Sequence, residues 1–331
     1  MKPLSKLTKR EIKLNLKNKN EIKERLCSSG VKVADAEVLA DSLITADAYG
    51  VTSHGTRLLD AHISKIEKGG YNLSPSFKVL RETAAFAVID GDNAIGPVSA
   101  VYCVDYGIER ARESGVFTVF SKNNNTLGPA FYYSLRAAER GCIAIVATNS
   151  PAQMAPIGGV EKLLGTNPFS AVIPVPGGDP VIIDMATSVV AKSKFKEYKE
   201  KGEPLPIGWA LDNYGNPTTD PDTAMAGLVL PMAGFKGYAI SMLIDIISGV
   251  MSGASYLNGV GRFYSDTGGS MGVGYCITVI DPAVVCPEYE REITEYVRRI
   301  RESKAKAGST VTLPGDDRLK FKRENYEDSD I

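Results

Sequence analysis

The chain reads as an α/β protein, and three observations predict it. Helix-period and strand-like segments alternate along the whole length instead of segregating. At 331 residues the chain can bury a large core and form two domains. Its 44% hydrophobic and 23% charged content is that of a soluble globular protein. Helical periodicity covers 34–49, 55–68, 98–113, 130–140, 236–253 and 287–304. In the last of these, Ile293, Tyr296, Val297 and Ile300 recur at i, i+3, i+4 and i+7, one apolar stripe. Segment 236–253 is apolar nearly all round, which predicts a central buried helix. Strands are expected at 86–90, 116–121, 142–148, 169–174, 181–184 and 276–281. Several end in Asp or Thr before a turn, where α/β proteins place functional groups. Segment 202–221, rich in Gly, Pro, Asn and Asp, reads as an ordered loop. Segment 258–274, with six glycines, reads as a mobile or tightly turning one.

Bulk properties exclude several functions. A net charge of −1 and a pI near 6.2 give no footing for nucleic acid or an anionic membrane as partner. The first 25 residues carry nine Lys/Arg against three Glu, a solvated terminal helix face; the polar tail 323–331 is expected to fray. The five cysteines (Cys27, Cys103, Cys142, Cys276, Cys286) show no CxxC spacing and sit mostly in apolar runs, as in a reduced, cytoplasmic protein. The charged start lacks the apolar core of a secretory signal. The longest apolar stretch, 238–251, contains Asp245 and is too short to span a bilayer. No HExxH occurs, and no metal is expected.

Only two histidines are present, so proton chemistry near neutral pH has two candidates. His54 lies in Ser53-His54-Gly55. Ser53 adds a hydroxyl, and Arg57 a fixed cation. An acid/base beside an anion-binding Arg suits a substrate with both a carboxylate and a reactive carbonyl. An N-capped helix start with surface His and Arg is the plainer alternative. His62, two helical turns on, could line the same pocket, although a solvated helix histidine is the simpler reading. No GxGxxG follows a strand, and Gly259-Val260-Gly261 has the wrong context for that fingerprint. Instead, Thr148-Asn149-Ser150-Pro151, Gly165-Thr166-Asn167-Pro168 and Asp184-Met185-Ala186-Thr187-Ser188 flank strands. Their N–H groups and hydroxyls could hold phosphates; ordinary caps and turns are the alternative.

Taken in order, these pieces resemble the malate/L-lactate dehydrogenase family of the second type, the sulfolactate dehydrogenase-like oxidoreductases. The resemblance runs from about Val33 to about Asp316. It rests on Ser53-His54-Gly55, Ala155-Pro156-Ile157-Gly158-Gly159, Leu164-Gly165-Thr166-Asn167-Pro168 and Asp184-Met185-Ala186-Thr187. Gly208-Trp209-Ala210-Leu211-Asp212, Thr218-Thr219-Asp220-Pro221 and Phe235-Lys236-Gly237-Tyr238 complete it. It implies an enzyme using NAD or NADP, with a non-classical, non-Rossmann NAD(P)-binding α/β domain at 116–284. Residues 1–115 plus 285–331 would form a mainly helical, substrate-side domain joined by the C-terminal helix. It also implies a homodimer with the active site near the subunit contact.

By the same resemblance His54 is the proton donor or acceptor, oriented by Ser53. Thr166, Asn167, Asp184, Met185, Ala186, Thr187, Ser188, Lys236, Gly237, Pro314, Gly315 and Asp316 fall on cofactor-contacting segments. On their own chemistry, apart from the resemblance, Arg57, His62, Asn125 and Ser150 are the candidates to meet the substrate. Two departures stand out. Thr126, in Asn123-Asn124-Asn125-Thr126-Leu127-Gly128, takes the place of a second family histidine. Leu58 takes the place of the usual substrate-binding arginine, with Arg57 one residue earlier. The implied reaction interconverts a 2-hydroxy acid and a 2-oxo acid of the malate, lactate, sulfolactate or ureidoglycolate type. The rivals are a cyclic imine (ketimine) reductase, whose substrate nitrogen can arrive protonated, and a non-catalytic small-molecule sensor.

Overall fold

The computed structural model describes residues 19–265 and 268–326; most of the basic N-terminal stretch and the last residues of the polar tail lie outside them. Helices α1 (Lys19–Ser28) and α2 (Val33–Ala48) pack together through Leu26, Leu39, Leu43 and Ile44, all buried. The helix expected over 55–68 is interrupted. Two 3-10 turns, Thr52–His54 and Thr56–Leu58, flank an extended Gly55 (ψ −161°), and α3 begins only at Leu59 (Leu59–Glu67). His54 is therefore on a turn, not on the helix that carries His62.

The main sheet has seven strands: β1 (Lys78–Glu82), β2 (Phe86–Asp90), β3 (Val116–Asn124), β4 (Ile143–Thr148), β5 (Phe169–Ile173), β6 (Val181–Met185) and the late strand Val273–Ile280. Three two-residue strands, β7 (Ala210–Leu211), β8 (Pro217–Thr218) and β9 (Leu228–Val229), form a separate small sheet, which makes Val273–Ile280 strand β10. The main order is β1-β2-β3-β10-β4-β5-β6. Only β2 and β3 run parallel; the other five pairings are antiparallel. A parallel pair needs a long crossover, and helix α4 (Gly96–Ser114) supplies it while packing on β3 and β10. Helix α5 (Ala130–Ala138) covers β4 and β5. At the centre of the sheet Ile277 lies opposite Val119 on one side and Val146 on the other, all three at 0% exposure.

One apolar core runs from Ile22 to Tyr326. A smaller core joins Met154, Leu164, Phe195, Leu205, Ala210, Ala224 and Val229. It sits under α6 (Ser193–Lys201), α7 (Pro221–Ala226) and the small sheet. Segment 202–221, expected to be a loop, thus contributes two short strands. Strand β1, α6 and a further helix at Asp316–Asn325 were not among the expected elements. The chain completes with α8 (Phe235–Asp245), α9 (Pro282–Val285), α10 (Tyr289–Arg301) and α11 (Asp316–Asn325).

The helix expected over 236–253 is not centrally buried. Helix α8 continues into a π-turn, Ile246–Val250, that packs on β10, β3 and β4. Its inward face is Gly237, Ser241, Ile244, Asp245, Ser248 and Gly249. Met242, Leu243, Ile246, Val250 and Met251 are exposed instead. Small and polar groups suit the close approach to the sheet, leaving the large side chains on the outside.

The central strand supplies a stability test. Ile277→Ala should cost about 2–5 kcal/mol, read as a lower urea midpoint at unchanged slope. Ile207→Ala, at a position 87% exposed, should change stability by less than about 0.5 kcal/mol. Equal midpoints for the two variants would contradict the placement of Ile277.

Candidate active site

His54 owes its position to Asp47. Asp47 lies in the last turn of α2, buried, and its carboxylate accepts hydrogen bonds from the Thr56 N–H (2.9 Å) and Thr56 Oγ1 (2.5 Å). Burial raises the Asp47 pKa, opposed by the Thr56 hydrogen bonds and the Arg57 charge. The carboxylate lies against Gly55: a Cβ there would meet Asp47 Oδ1 at 1.8 Å. The glycine of Ser53-His54-Gly55 is thus required by a close approach across the loop, at an ordinary φ of −89°.

The His54 ring is half-buried, and Nδ1 lies 2.9 Å from the Ser53 hydroxyl. That contact leaves Nε2 for a reacting atom. Burial lowers the His54 pKa; the Asp184 carboxylate raises it and Arg57 lowers it further. Three elements therefore converge: the 52–58 turns, the end of β6, and, through Asp184, the C-terminal helix. Arg318 of α11 donates from Nη1 to Asp184 Oδ2 (2.7 Å) and from Nη2 to the Asp184 carbonyl (3.2 Å). Its guanidinium stacks 5.3 Å from the Phe131 ring centroid. Sequence reasoning missed both Asp47 and Arg318. The available signals were an acid inside the apolar end of α2 and an arginine two residues after Pro314-Gly315-Asp316.

A cleft of about 290 Å³ opens beside this point. Its walls include Asp184, Met185, Pro314, Gly315 and Arg318. The turn that closes it is tight, because Ile182 N–H donates to the Pro314 carbonyl (2.9 Å) and Gly315, at φ +95°, lies against Ile182. Asp316 faces away from the cleft, pairing with Arg301 (2.6 Å) and capping the Leu313 N–H; the Arg301 bond holds its pKa below the usual carboxylate value.

The other expected cofactor residues form a connected scaffold. Thr187 donates from N and Oγ1 to the Thr166 carbonyl (both 2.9 Å), and the Met232 N–H donates to Thr187. Ser188 bridges to Pro231, and no helix opens at 186–188. Asn167, fully buried, accepts from the Ser150 N–H (3.0 Å) and donates to the Ser241 carbonyl in α8 (2.9 Å). Ala186 is half-buried and Met185 exposed. Lys236 is exposed at the first turn of α8, and buried Gly237 donates to Met232. Among the lysines at the start of α6, Lys194 and Lys196 pair with Glu197 and Glu200. Half-buried Lys192 has its pKa pushed down to about 8 by burial and by the Lys162 and Arg262 charges.

The proposed substrate groups divide. Arg57 is exposed beside His54, and Ser150 is half-buried. Asn125 is fully buried, its amide donating to Asn93 Oδ1 (2.8 Å) and the Ala94 carbonyl (3.0 Å). Thr126 is half-buried, and its hydroxyl has no hydrogen bond among the described residues. His62 is not solvated. It is 2% exposed, bonded to the Tyr71 hydroxyl (2.9 Å) and tilted against Phe263. Burial and the Lys65 charge lower its pKa to about 3, so it stays neutral near pH 7. Among the described residues no hydrogen bond or ion pair joins His54 to His62, Asn125 or Thr126.

The family profile described as malate/L-lactate dehydrogenase matches residues 17–329, and the chain belongs to that family. It is 37% identical over 287 residues to a Pyrococcus horikoshii protein named malate dehydrogenase, covering 84% of this chain and 79% of that one. It is 32% identical to the Escherichia coli K12 ureidoglycolate dehydrogenase (NAD(+)), covering 89% and 85%. The sulfolactate dehydrogenase from Methanocaldococcus jannaschii superposes with a TM-score of 0.87 at 33% identity, covering 92% of this chain and 89% of that one. A Δ1-piperideine-2-carboxylate reductase from Pseudomonas syringae pv. tomato superposes at 0.84 and 25% identity, covering 92% and 91%.

The Asp47–Gly55 contact yields a double-mutant prediction. Gly55→Ala should destabilise the fold by about 2 kcal/mol or more, because buried backbone must move. In Asp47→Ala the same substitution should cost about 1 kcal/mol less. Thermal melts of the four proteins give the coupling; strict additivity would show that the carboxylate is not what excludes a Cβ.

Proposed function

We propose that the protein is a nicotinamide-dependent oxidoreductase that interconverts a 2-hydroxy acid and a 2-oxo acid, with His54 as proton donor and acceptor. The observation that carries this reading is the His54 imidazole, held by Ser53 and acted on by the charges of Asp184 and Arg57, with Asp184 itself in the wall of the cleft at the end of β6. A family of named dehydrogenases supports it.

The residues present fit a nicotinamide dinucleotide. The cleft has an apolar wall at Ile182, Ile183 and Met185 and a cation at Arg318. Exposed Lys236 in the first turn of α8 puts a cation at the positive end of the helix dipole, an arrangement that favours phosphate. Met185, Ala186, Pro314, Gly315, Lys236 and Gly237 would hold NAD or NADP, with Thr166, Asn167, Thr187, Ser188 and Asp316 fixing the turns around it. When bound, the nicotinamide would supply the hydride.

The chain's own task is the proton. In the reductive direction charge grows on the substrate oxygen, and His54 Nε2 delivers a proton to it; in the oxidative direction the neutral imidazole accepts that proton. The lowered pKa favours the neutral form at pH 7. Arg57 pairs with the substrate carboxylate, Ser150 adds a hydroxyl, and Thr126 positions the reacting oxygen. Asn125 and His62 shape the wall, since their polar atoms are already bonded. Residues 116–284 carry most of the cofactor side, and 1–115 with 285–331 the substrate side.

The exposed Met242, Leu243, Ile246, Val250 and Met251 support a homodimer, because a patch of this kind is rarely left to water. No described helix is long and apolar enough to cross a membrane; a cytoplasmic location goes with the reading as a metabolic enzyme. The likeness to a piperideine-carboxylate reductase supports a second reading as a cyclic imine reductase.

A panel of 2-oxo acids and cyclic imines, assayed separately with NADH and NADPH, decides among these. Turnover of at least one 2-oxo acid is expected; turnover of imines alone selects the second reading. Cofactor binding without turnover on any substrate would favour a sensor. His54→Ala should lower kcat at least about a hundredfold with cofactor affinity little changed. Comparable loss in His62→Ala, with His54→Ala active, would overturn the assignment.

A further inference from the structure

The acid/base site has a second layer. Asp184 is the carboxylate whose charge acts on His54, and it is not free to turn: its side chain is 13% exposed and bonded to Arg318. Arg318 is itself fixed from three sides. Phe131 of α5 lies under its guanidinium, the Asp184 carbonyl takes its second nitrogen, and the start of α11 is anchored by the Asp316–Arg301 pair and the Pro314 carbonyl. The far end of the same helix reaches the other side of the site. The Tyr326 hydroxyl donates to the Asp47 carbonyl (3.0 Å), and Phe321 packs on Gly50.

We propose that Arg318 is a positioning residue: it holds the Asp184 carboxylate and offsets its charge, and so sets how tightly His54 keeps its proton. The inference rests on His54 being the acid/base. The charged groups around the imidazole are Arg57 on its own turn, Asp184 from β6, and Asp47 from α2, the last bonded to Thr56 and lying against Gly55. Asp47 is bonded to Thr56 and Arg57 is exposed on its own turn, whereas Asp184 is paired with α11's arginine. Without Arg318, Asp184 would present an uncompensated negative charge and gain freedom to rotate onto the imidazole. A nearer, uncompensated carboxylate stabilises the imidazolium. Arg318 thus keeps the ring poised to release its proton during reduction.

The chain offers a clean measurement. It has only two histidines, and burial lowers the His62 pKa to about 3. His62 therefore stays neutral around pH 7, and the imidazole followed through its titration in histidine NMR spectra should be His54. Arg318→Gln should raise its pKa by about one unit, and Arg318→Lys, which keeps the charge, should restore most of the wild-type value. Asp184→Asn should lower the pKa, and adding Arg318→Gln to Asp184→Asn should no longer raise it. An Arg318→Gln protein that folds but titrates within about 0.2 units of wild type overturns the proposal. So does an unmoved titration in Asp184→Asn, a variant that stands in if Arg318→Gln fails to fold. A kcat/KM profile in the reductive direction should shift with the NMR value. An NMR shift that the rate profile ignores supports the coupling and overturns His54 as the proton donor instead.

Discussion

The carboxylate of Asp47 is the constraint on which the rest of the site depends. A buried acid needs partners, and here they are the amide and hydroxyl of Thr56. Meeting that need pulls the loop after α2 back onto the helix end. It leaves no room for a side chain at position 55 and presents His54 on a short turn. The same residue's carbonyl receives the Tyr326 hydroxyl, so the C-terminal helix docks where the loop is fixed. Helix α2, the histidine turn and α11 are thereby locked together around one acid.

The C-terminal segment then closes the arrangement from the opposite side. Its Pro314–Gly315 turn bonds to β6, and its arginine reaches back to Asp184 on the same strand. The histidine turn and the walls of the cleft thus come from segments remote in sequence. The sheet end holds them in register, and Arg57 contributes a charge that needs no burial.

What was legible in the sequence follows from local physics. Periodic segments such as 98–113 and 130–140 became α4 and α5, because an amphipathic pattern over many residues has few other solutions. Ser53-His54-Gly55 and Asp184 stood out through residue type and neighbours. What was not legible depended on distant chain. Strand β1 is exposed along its whole length, so it has no alternation to read, and the strands of the small sheet have two residues each. The partner of Asp184 comes 134 residues later. His62 reads as a solvated helix residue until Tyr71 and Phe263 are folded around it. The apolar content of 236–253 was plain, but its small residues turned inward and its large ones outward, an orientation that composition does not encode.

The position of β10 has a consequence for how this protein is made. The middle of the main sheet is filled by a strand synthesised after the other six, between β3 and β4. Until that strand emerges from the ribosome, the facing edges of β3 and β4 lack their shared partner. The earlier segments can collapse but cannot complete their ladder, so the nascent chain waits with open, apolar sheet edges that invite misassociation. Closure of the sheet, and with it assembly of the site, waits for Val273–Ile280 and depends on contacts of high sequence separation, a topology that folds slowly.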